Sequence, residues 1–430
     1  MIHIQDLHLE AEILPLFNYT QNADAEDALS KLLSELPSSV ELIQEKQAVI
    51  KAFLDNWSVL ADFSYQKIHF QEVRAFLLDV SNGRVRLEDN RFRLSVKLLF
   101  SEKERYTSRA RYVQTISFLH RLQQQYVLQL TVSGFPASFR PILEKLVRFL
   151  HRFILPITAL AIQQDSFSVA QMVRFARQLQ AVSPEEVSAF WQAFYVFEAY
   201  WSLAKGMLRY GFVFPIFQDN GLTLEQFYHP ILALPVKNTL VLKPTDSVLI
   251  LTGPNMAGKS TLLKAIGLCV YLAHVGVGVP AAACQLPFFH SIVVAINLTD
   301  SLKNGYSHFM AEIQNLKAVV QAAQRPGRTF AVFDELFRGT NVDDALDITQ
   351  ATIEGLASSQ GSYFMVSTHL LQLESRLTIQ PSIHAYSIEC LLEEQVPRFT
   401  YRLLPGWSSL RIGKLLFEKE GLYELLRPYA

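Results

Sequence analysis

Hydrophobic positions along this chain recur in blocks of different period, and each block predicts an element. Leu29, Leu32, Leu33 and Leu36 fall at i, i+3, i+4 and i+7, one face of a helix that Pro37 stops. Ser38 and Glu41 then have capping-box spacing and open a helix carrying Val40, Ile43, Ile50 and Phe53. Residues 84–98 alternate. Val85, Leu87, Phe92, Leu94, Val96 and Leu98 would share one face of a β-hairpin, with a polar turn at Glu88, Asp89 and Asn90. Its other face would carry Arg84, Arg86, Arg91, Arg93 and Lys97, a basic ribbon that fits a phosphate backbone or keeps an edge hairpin soluble. Helical spacing returns over 102–210. Ser183, Pro184, Glu185 and Glu186 form a start signal, and Val187, Phe190, Trp191, Phe194 and Phe197 form a stripe that reads as core.

Near residue 211 the pattern breaks. Phe212, Phe214 and Phe217 flank Pro215, and Asp219, Asn220 and Gly221 signal a turn. This places a boundary between a mainly α-helical domain over 1–210 and a second domain over 211–430. The second domain carries continuous apolar runs at 248–251, 329–333 and 363–367, which read as buried strands, with an apolar helix after the first. Its fold class is therefore α/β, preceded by a helical domain.

The first of those runs leads into Gly253, Pro254, Asn255, Met256, Ala257, Gly258, Lys259, Ser260 and Thr261, and an apolar helix follows over 262–275. This is the phosphate-binding loop in its required strand–loop–helix context. Glycines let successive N–H groups turn inward toward a triphosphate, and the helix N-terminus adds positive potential. Lys259 supplies a cation for the β- and γ-phosphates, and Ser260 a hydroxyl for Mg²⁺. The second run ends in Asp334 and Glu335. Asp334 would hold Mg²⁺ and Glu335 would polarise the attacking water, although two such carboxylates also suit a helix start. The third ends in Ser367, Thr368 and His369. That histidine can report the γ-phosphate, or be an ordinary polar strand end. ATP and Mg²⁺ are the expected cofactors, and ATP hydrolysis the expected activity.

Composition narrows the class. Cys269, Cys284 and Cys390 are widely spaced, with neither a disulfide framework nor a metal pattern, which predicts a cytoplasmic protein. The most apolar window, 149–163, contains Arg152 and is too short to span a bilayer, so no membrane role is expected. The net charge of −1 hides an uneven distribution: residues 74–152 hold 15 Lys and Arg against 6 Asp and Glu. A basic segment in an otherwise acidic chain points to a polyanion, or to a solvated face without a ligand.

Residues 252–261 resemble the phosphate loop of the MutS family of DNA mismatch-repair ATPases, with Ala257 where the family usually has a second glycine. Three further segments match in order: 305–312, similar to the family's signature loop; 334–340 with Asp344, similar to its Walker B region; and 367–369, similar to its switch histidine. Near the end, 399–401 and 406–408 resemble its closing segment. The resemblance implies a P-loop NTPase domain of the ABC-like kind. It also implies a homodimer with composite sites, in which Ser307 approaches the γ-phosphate held by the other subunit, and a role for Tyr401 beside adenine. Residues 16–50 follow the pattern that opens the family's helical core, more weakly. No segment ahead of them corresponds to a mismatch reader, so the expected relatives are short MutS-related proteins with core and ATPase domains. The expected function is an ATP-driven dimeric switch acting on DNA. The alternative is a nucleotide-dependent protein scaffold that does not bind DNA.

Overall fold

The computed structural model describes residues 2–85, 87–88, 90–254, 257–296, 308–337, 340–393, 396–408 and 417–426. Of the residues singled out above, Arg86, Asp89, Asn255, Met256 and Ser307 lie outside them, as do 305–306 and 338–339 of the matched segments. The chain divides into two compact units. One holds Phe17–Glu35 and Gln44–Arg209; the other holds Met1–Leu16, Leu36–Ile43 and Tyr210–Ala430. The expected helical domain over 1–210 is thus corrected at its start, because two N-terminal pieces group with the α/β unit.

The first unit is helical. Its longer helices are α1 (Ala23–Ser34), α2 (Val40–Asp55, from Gln44 onward), α3 (Lys67–Ser81), α4 (Arg91–Phe100), α5 (Glu102–Arg121), α6 (Arg140–Leu150), α7 (Leu155–Gln163), α8 (Val169–Gln180) and α9 (Pro184–Tyr210). α9 starts where the capping signal placed it. Glu186 N–H donates to Ser183 Oγ at 3.2 Å, and Ser183 N–H donates to Glu186 Oε2 at 3.1 Å. Its aromatic stripe is core: Phe190, Trp191, Phe194 and Phe197 are all buried. Phe190 stacks on Phe149 at 4.2 Å between ring centroids, and Phe197 packs on Phe53 at 5.1 Å. Such pairs contribute about 0.5–1.5 kcal/mol each beyond area burial. α2 begins one residue later than its signal, since Ser39 rather than Ser38 accepts from the Leu42 N–H.

Glu198 of α9 is fully buried and ties down the chain before α1. Its carboxyl accepts from Gln21 N, Asn22 Nδ2 at 2.8 Å and Tyr65 Oη at 2.6 Å. Burial pushes its pKa up from 4.5 to about 7 against those hydrogen bonds. Between these values the folded chain keeps a proton that the unfolded chain has lost, so stability falls as pH rises through this window. Glu198→Gln is expected to remove that loss, on the order of 2–3 kcal/mol. Denaturant unfolding at pH 5 and pH 8 checks it, and an equal pH dependence in variant and parent would refute it.

Among the described residues of 84–98 the expected hairpin is absent, and Arg91–Phe100 is helical instead. The N–H groups of Arg84 and Val85 both donate to Asp79 O at the end of α3, so these residues finish a helix rather than start a strand. Asn90 Oδ1 then accepts from the N–H groups of Phe92 and Arg93 and caps α4. Arg, Leu and Lys are good helix formers, and a local cap needs no partner strand. The predicted apolar face therefore splits: Leu94 and Leu98 are buried at i and i+4, whereas Phe92 and Val96 are exposed.

The second unit contains a seven-stranded sheet in the order β1-β7-β8-β9-β5-β10-β11. These strands are β1 (Ile2–His3), β5 (Val248–Thr252), β7 (Ser291–Ala295), β8 (Thr329–Asp334), β9 (Tyr363–Ser367), β10 (Ile383–Glu393) and β11 (Val396–Pro405). All neighbours run parallel except β10 and β11. β2 (Ile216–Phe217), β6 (Ala283–Leu286), β3 (Leu222–Phe227) and β4 (Asn238–Leu242) make a second sheet in that order. β5, β7 and β9 are buried at every position, as continuous apolar runs require in a sheet covered on both faces. α10 (Lys259–Val275) packs against β7, β8 and β9. Gly267 permits its close approach, because a Cβ there would lie 3.0 Å from Val294 Cγ2. The N-terminal piece joins through β1, paired with β7, and through Asp6, whose Oδ2 accepts from Ile296 N–H at 2.7 Å. α11 (His308–Ala323) and α12 (Val342–Leu356) complete the unit. Among the described residues no single helix is long and apolar enough to cross a membrane.

Candidate nucleotide site

In a parallel sheet the strand carboxyl ends face loops that can hold a ligand. Three such ends converge here. β5 runs into the loop that opens α10, and Gly258 at its N-cap has φ 91°. A side chain at Gly258 would be strained and would press on Tyr401, with Cβ 3.1 Å from the ring. Lys259 follows and is buried. Its Nζ donates to Gly253 O at 2.8 Å and Pro254 O at 3.3 Å, and lies 3.5 Å from Glu335 Oε1. Ala257, which is buried, donates its N–H to Pro254 O at 3.2 Å, and Thr261 lies in the first turn of α10.

Asp334 closes β8 and receives two hydroxyls. Ser260 Oγ donates to its Oδ2 and Ser367 Oγ to its Oδ1. Glu335 adopts a left-handed backbone, φ 55°. Its N–H donates to Ser367 Oγ at 3.0 Å and Ser367 O at 3.2 Å, which holds a conformation rare outside glycine. The turn aims the carboxylate at Lys259 on one side and at His369 on the other, where Nδ1 lies 3.6 Å from Oε2. The structure thus brings Lys259, Ser260, Asp334, Glu335 and His369 together. A hydroxyl and a carboxylate are the hard oxygen donors that Mg²⁺ takes alongside phosphate oxygens and water. Among the described residues no cluster of three His, Cys, Asp or Glu forms a self-sufficient metal site. The donor set therefore fits Mg²⁺ brought with a phosphate ligand.

Beside the loop lies a cavity of about 360 Å³, lined by Tyr228, His229, Leu232, Val236, Leu262 and Tyr401 among others. Tyr401 is half-exposed at its wall, with φ 59°. Asn238 clamps this position, donating from Nδ2 to Tyr401 O at 3.0 Å and accepting at Oδ1 from Leu403 N–H at 2.8 Å. A mainly apolar slot next to a phosphate loop has the character of a nucleoside pocket.

Sequence reasoning missed three contributors. Ser367 positions both Asp334 and Glu335; the visible signal was a hydroxyl at a strand's carboxyl end. Asn238 acts across a long separation that no local pattern reveals, and His229 lines the cavity far in sequence from the loop. Arg84, Arg91, Arg93 and Lys97 lie in the helical unit, around α4, and form no ribbon.

Residues 249–418 match the family model described as MutS domain V. The chain is similar to the DNA mismatch repair protein MutS of Natronomonas pharaonis, 28% identical over 255 residues, which cover 58% of this chain and 30% of that protein. The protein of the same description from Salinibacter ruber is 34% identical over 216 residues, covering 47% and 24%. That from an Exiguobacterium species is 36% identical over 196 residues, covering 44% and 23%. The chain spans about a quarter to a third of the length of these relatives.

Proposed function

We propose that this chain, whose residues 249–418 match MutS domain V, is a member of the MutS family and works as an ATP-driven, dimeric conformational switch that acts on DNA. The observation that carries the reading is the convergence of Lys259, the Ser260–Asp334 pair and Glu335 at one sheet edge. Lys259 and the loop N–H groups would hold the β- and γ-phosphates. Ser260 and Asp334 would hold Mg²⁺, which supplies charge neutralisation of the phosphate oxygens when bound. Glu335 would polarise the attacking water, and His369, facing Glu335, would register the γ-phosphate. Little covalent chemistry falls to the protein in phosphoryl transfer, so positioning and charge dominate. Tyr401 and the apolar slot would take the adenine. The three cysteines, all free and buried, suit a reducing compartment such as the cytoplasm.

The switch requires a partner. Ser307, which lies outside the described residues and precedes α11 in sequence, would by the family resemblance complete the site of a second copy. Mixing a Ser307→Arg subunit with a Lys259→Ala subunit is expected to recover ATP turnover from one intact site per dimer. Each variant alone is expected to be inactive. A mixture that dimerises yet recovers nothing contradicts the composite site.

A further inference from the structure

α4 exposes a surface that the nucleotide site does not use. Phe92, Val96, Leu99 and Phe100 occur at i, i+4, i+7 and i+8, one stripe of a helix. They are 75%, 37%, 54% and 84% exposed, and among the described residues nothing covers the stripe. Tyr106, one turn into α5, is 78% exposed. Leu94 and Leu98 are the buried side chains of α4. Arg93 and Lys97 run along the far side of the stripe, and Arg91 stands at the helix start. Among the described residues Arg91 and Arg93 have no carboxylate partner, whereas Lys97 pairs with Glu104 at 3.1 Å. No Asp or Glu occurs in 90–101, and the two carboxylates that open α5 are each paired, Glu104 with Lys97 and Glu102 with Arg105 at 3.8 Å.

We propose that α4 and the start of α5 form a contact surface for DNA strands with unpaired bases. This rests on the functional reading above and adds which DNA it favours. The charge selects a polyanion and disfavours a second copy of the chain, which would bring like charge onto like charge. The rings select bases. Phosphate contacts need only the cations and would leave Phe92 and Phe100 in water. Unpaired bases offer π faces to those rings, and rings alternating with cations are the common design of single-strand grooves. Phe92 and Phe100 are eight residues apart, about 12 Å along the helix, so one strand passing over α4 can meet both.

Fluorescence anisotropy with the full chain tests this. The probes are a single-stranded oligonucleotide, a blunt duplex of the same length and a duplex with a single-stranded tail. The single-stranded and tailed probes are expected to bind about tenfold more tightly than the blunt duplex. Phe92→Ser with Phe100→Ser should weaken single-strand binding by at least about tenfold, given what base–aromatic stacking contributes, and leave the blunt duplex and the salt slope unchanged. Arg91→Gln with Arg93→Gln should instead make the log–log salt slope shallower by about 1.4, at about 0.7 per phosphate contact on a single strand. All four side chains are exposed, so circular dichroism should not change.

Single-strand binding that survives loss of both phenylalanines overturns the inference, as does an equal loss on blunt duplex. If those substitutions instead abolish self-association, or binding to anionic phospholipid vesicles, with DNA binding intact, the stripe serves that partner and the inference fails. Blunt-duplex binding without strand preference overturns this inference alone. No DNA binding in any nucleotide state overturns the functional reading with it.

Discussion

Replacing Glu335 by Gln is expected to lower ATP turnover by about 10²–10⁴-fold, the usual contribution of a positioned general base. ATP affinity should stay within a few-fold of the parent, or rise. The substitution preserves shape, so the left-handed turn at φ 55° and its two bonds to Ser367 persist. It removes the carboxylate proposed to polarise water and also the counter-charge 3.5 Å from Lys259. The lysine is then freer for phosphate. Equilibrium binding of labelled ATP together with steady-state hydrolysis checks both halves. Near-parental turnover would remove Glu335 from the water-polarising role.

Lys259→Met should abolish productive ATP binding. The ammonium is buried, and each charge-assisted bond it makes to phosphate contributes about 1.5–3 kcal/mol, so an affinity loss of about 100-fold or more is expected. In the parent, ATP at one hundred times its dissociation constant should stabilise the fold by about 2.7 kcal/mol. That corresponds to a rise in melting temperature of roughly 5–10 °C, which the variant should lack. The substitution also strips Glu335 of its cation and should lower stability without ligand. Lys259→Met with Glu335→Gln should regain that stability but not the response to ATP. A thermal shift with ATP in the single variant equal to the parent's would contradict the role of Lys259.

Much of the α/β unit was legible because its signals are local. Buried strands read as unbroken apolar runs, and 248–251, 329–333 and 363–367 each fell inside an observed strand. The phosphate loop and the Asp334–Glu335 pair are contiguous in sequence, so residue type and spacing located them. The helical unit was legible where a cap sharpened the period, as at Ser183. It failed at 84–98, where alternating basic and apolar residues fit a strand, but helix formers behind Asn90 and the absence of a partner strand favour α4. Long-range pairings left no local trace. β1 is two residues long, too short to carry a period, yet it extends the central sheet. Ser367 was visible as a strand end, but its bonds to Asp334 and Glu335 depend on β8 and β9 lying side by side.

The central claim is that nucleotide state and DNA affinity are coupled through this chain. Its most direct test is the affinity of the full protein for one DNA at fixed salt, measured with ADP and then with a slowly hydrolysed ATP analogue, both with Mg²⁺. Coupling of 1–3 kcal/mol predicts a difference of about 5–150-fold, and its disappearance in Lys259→Met. Equal affinity in the two states, in a protein that binds both nucleotides, would contradict the account.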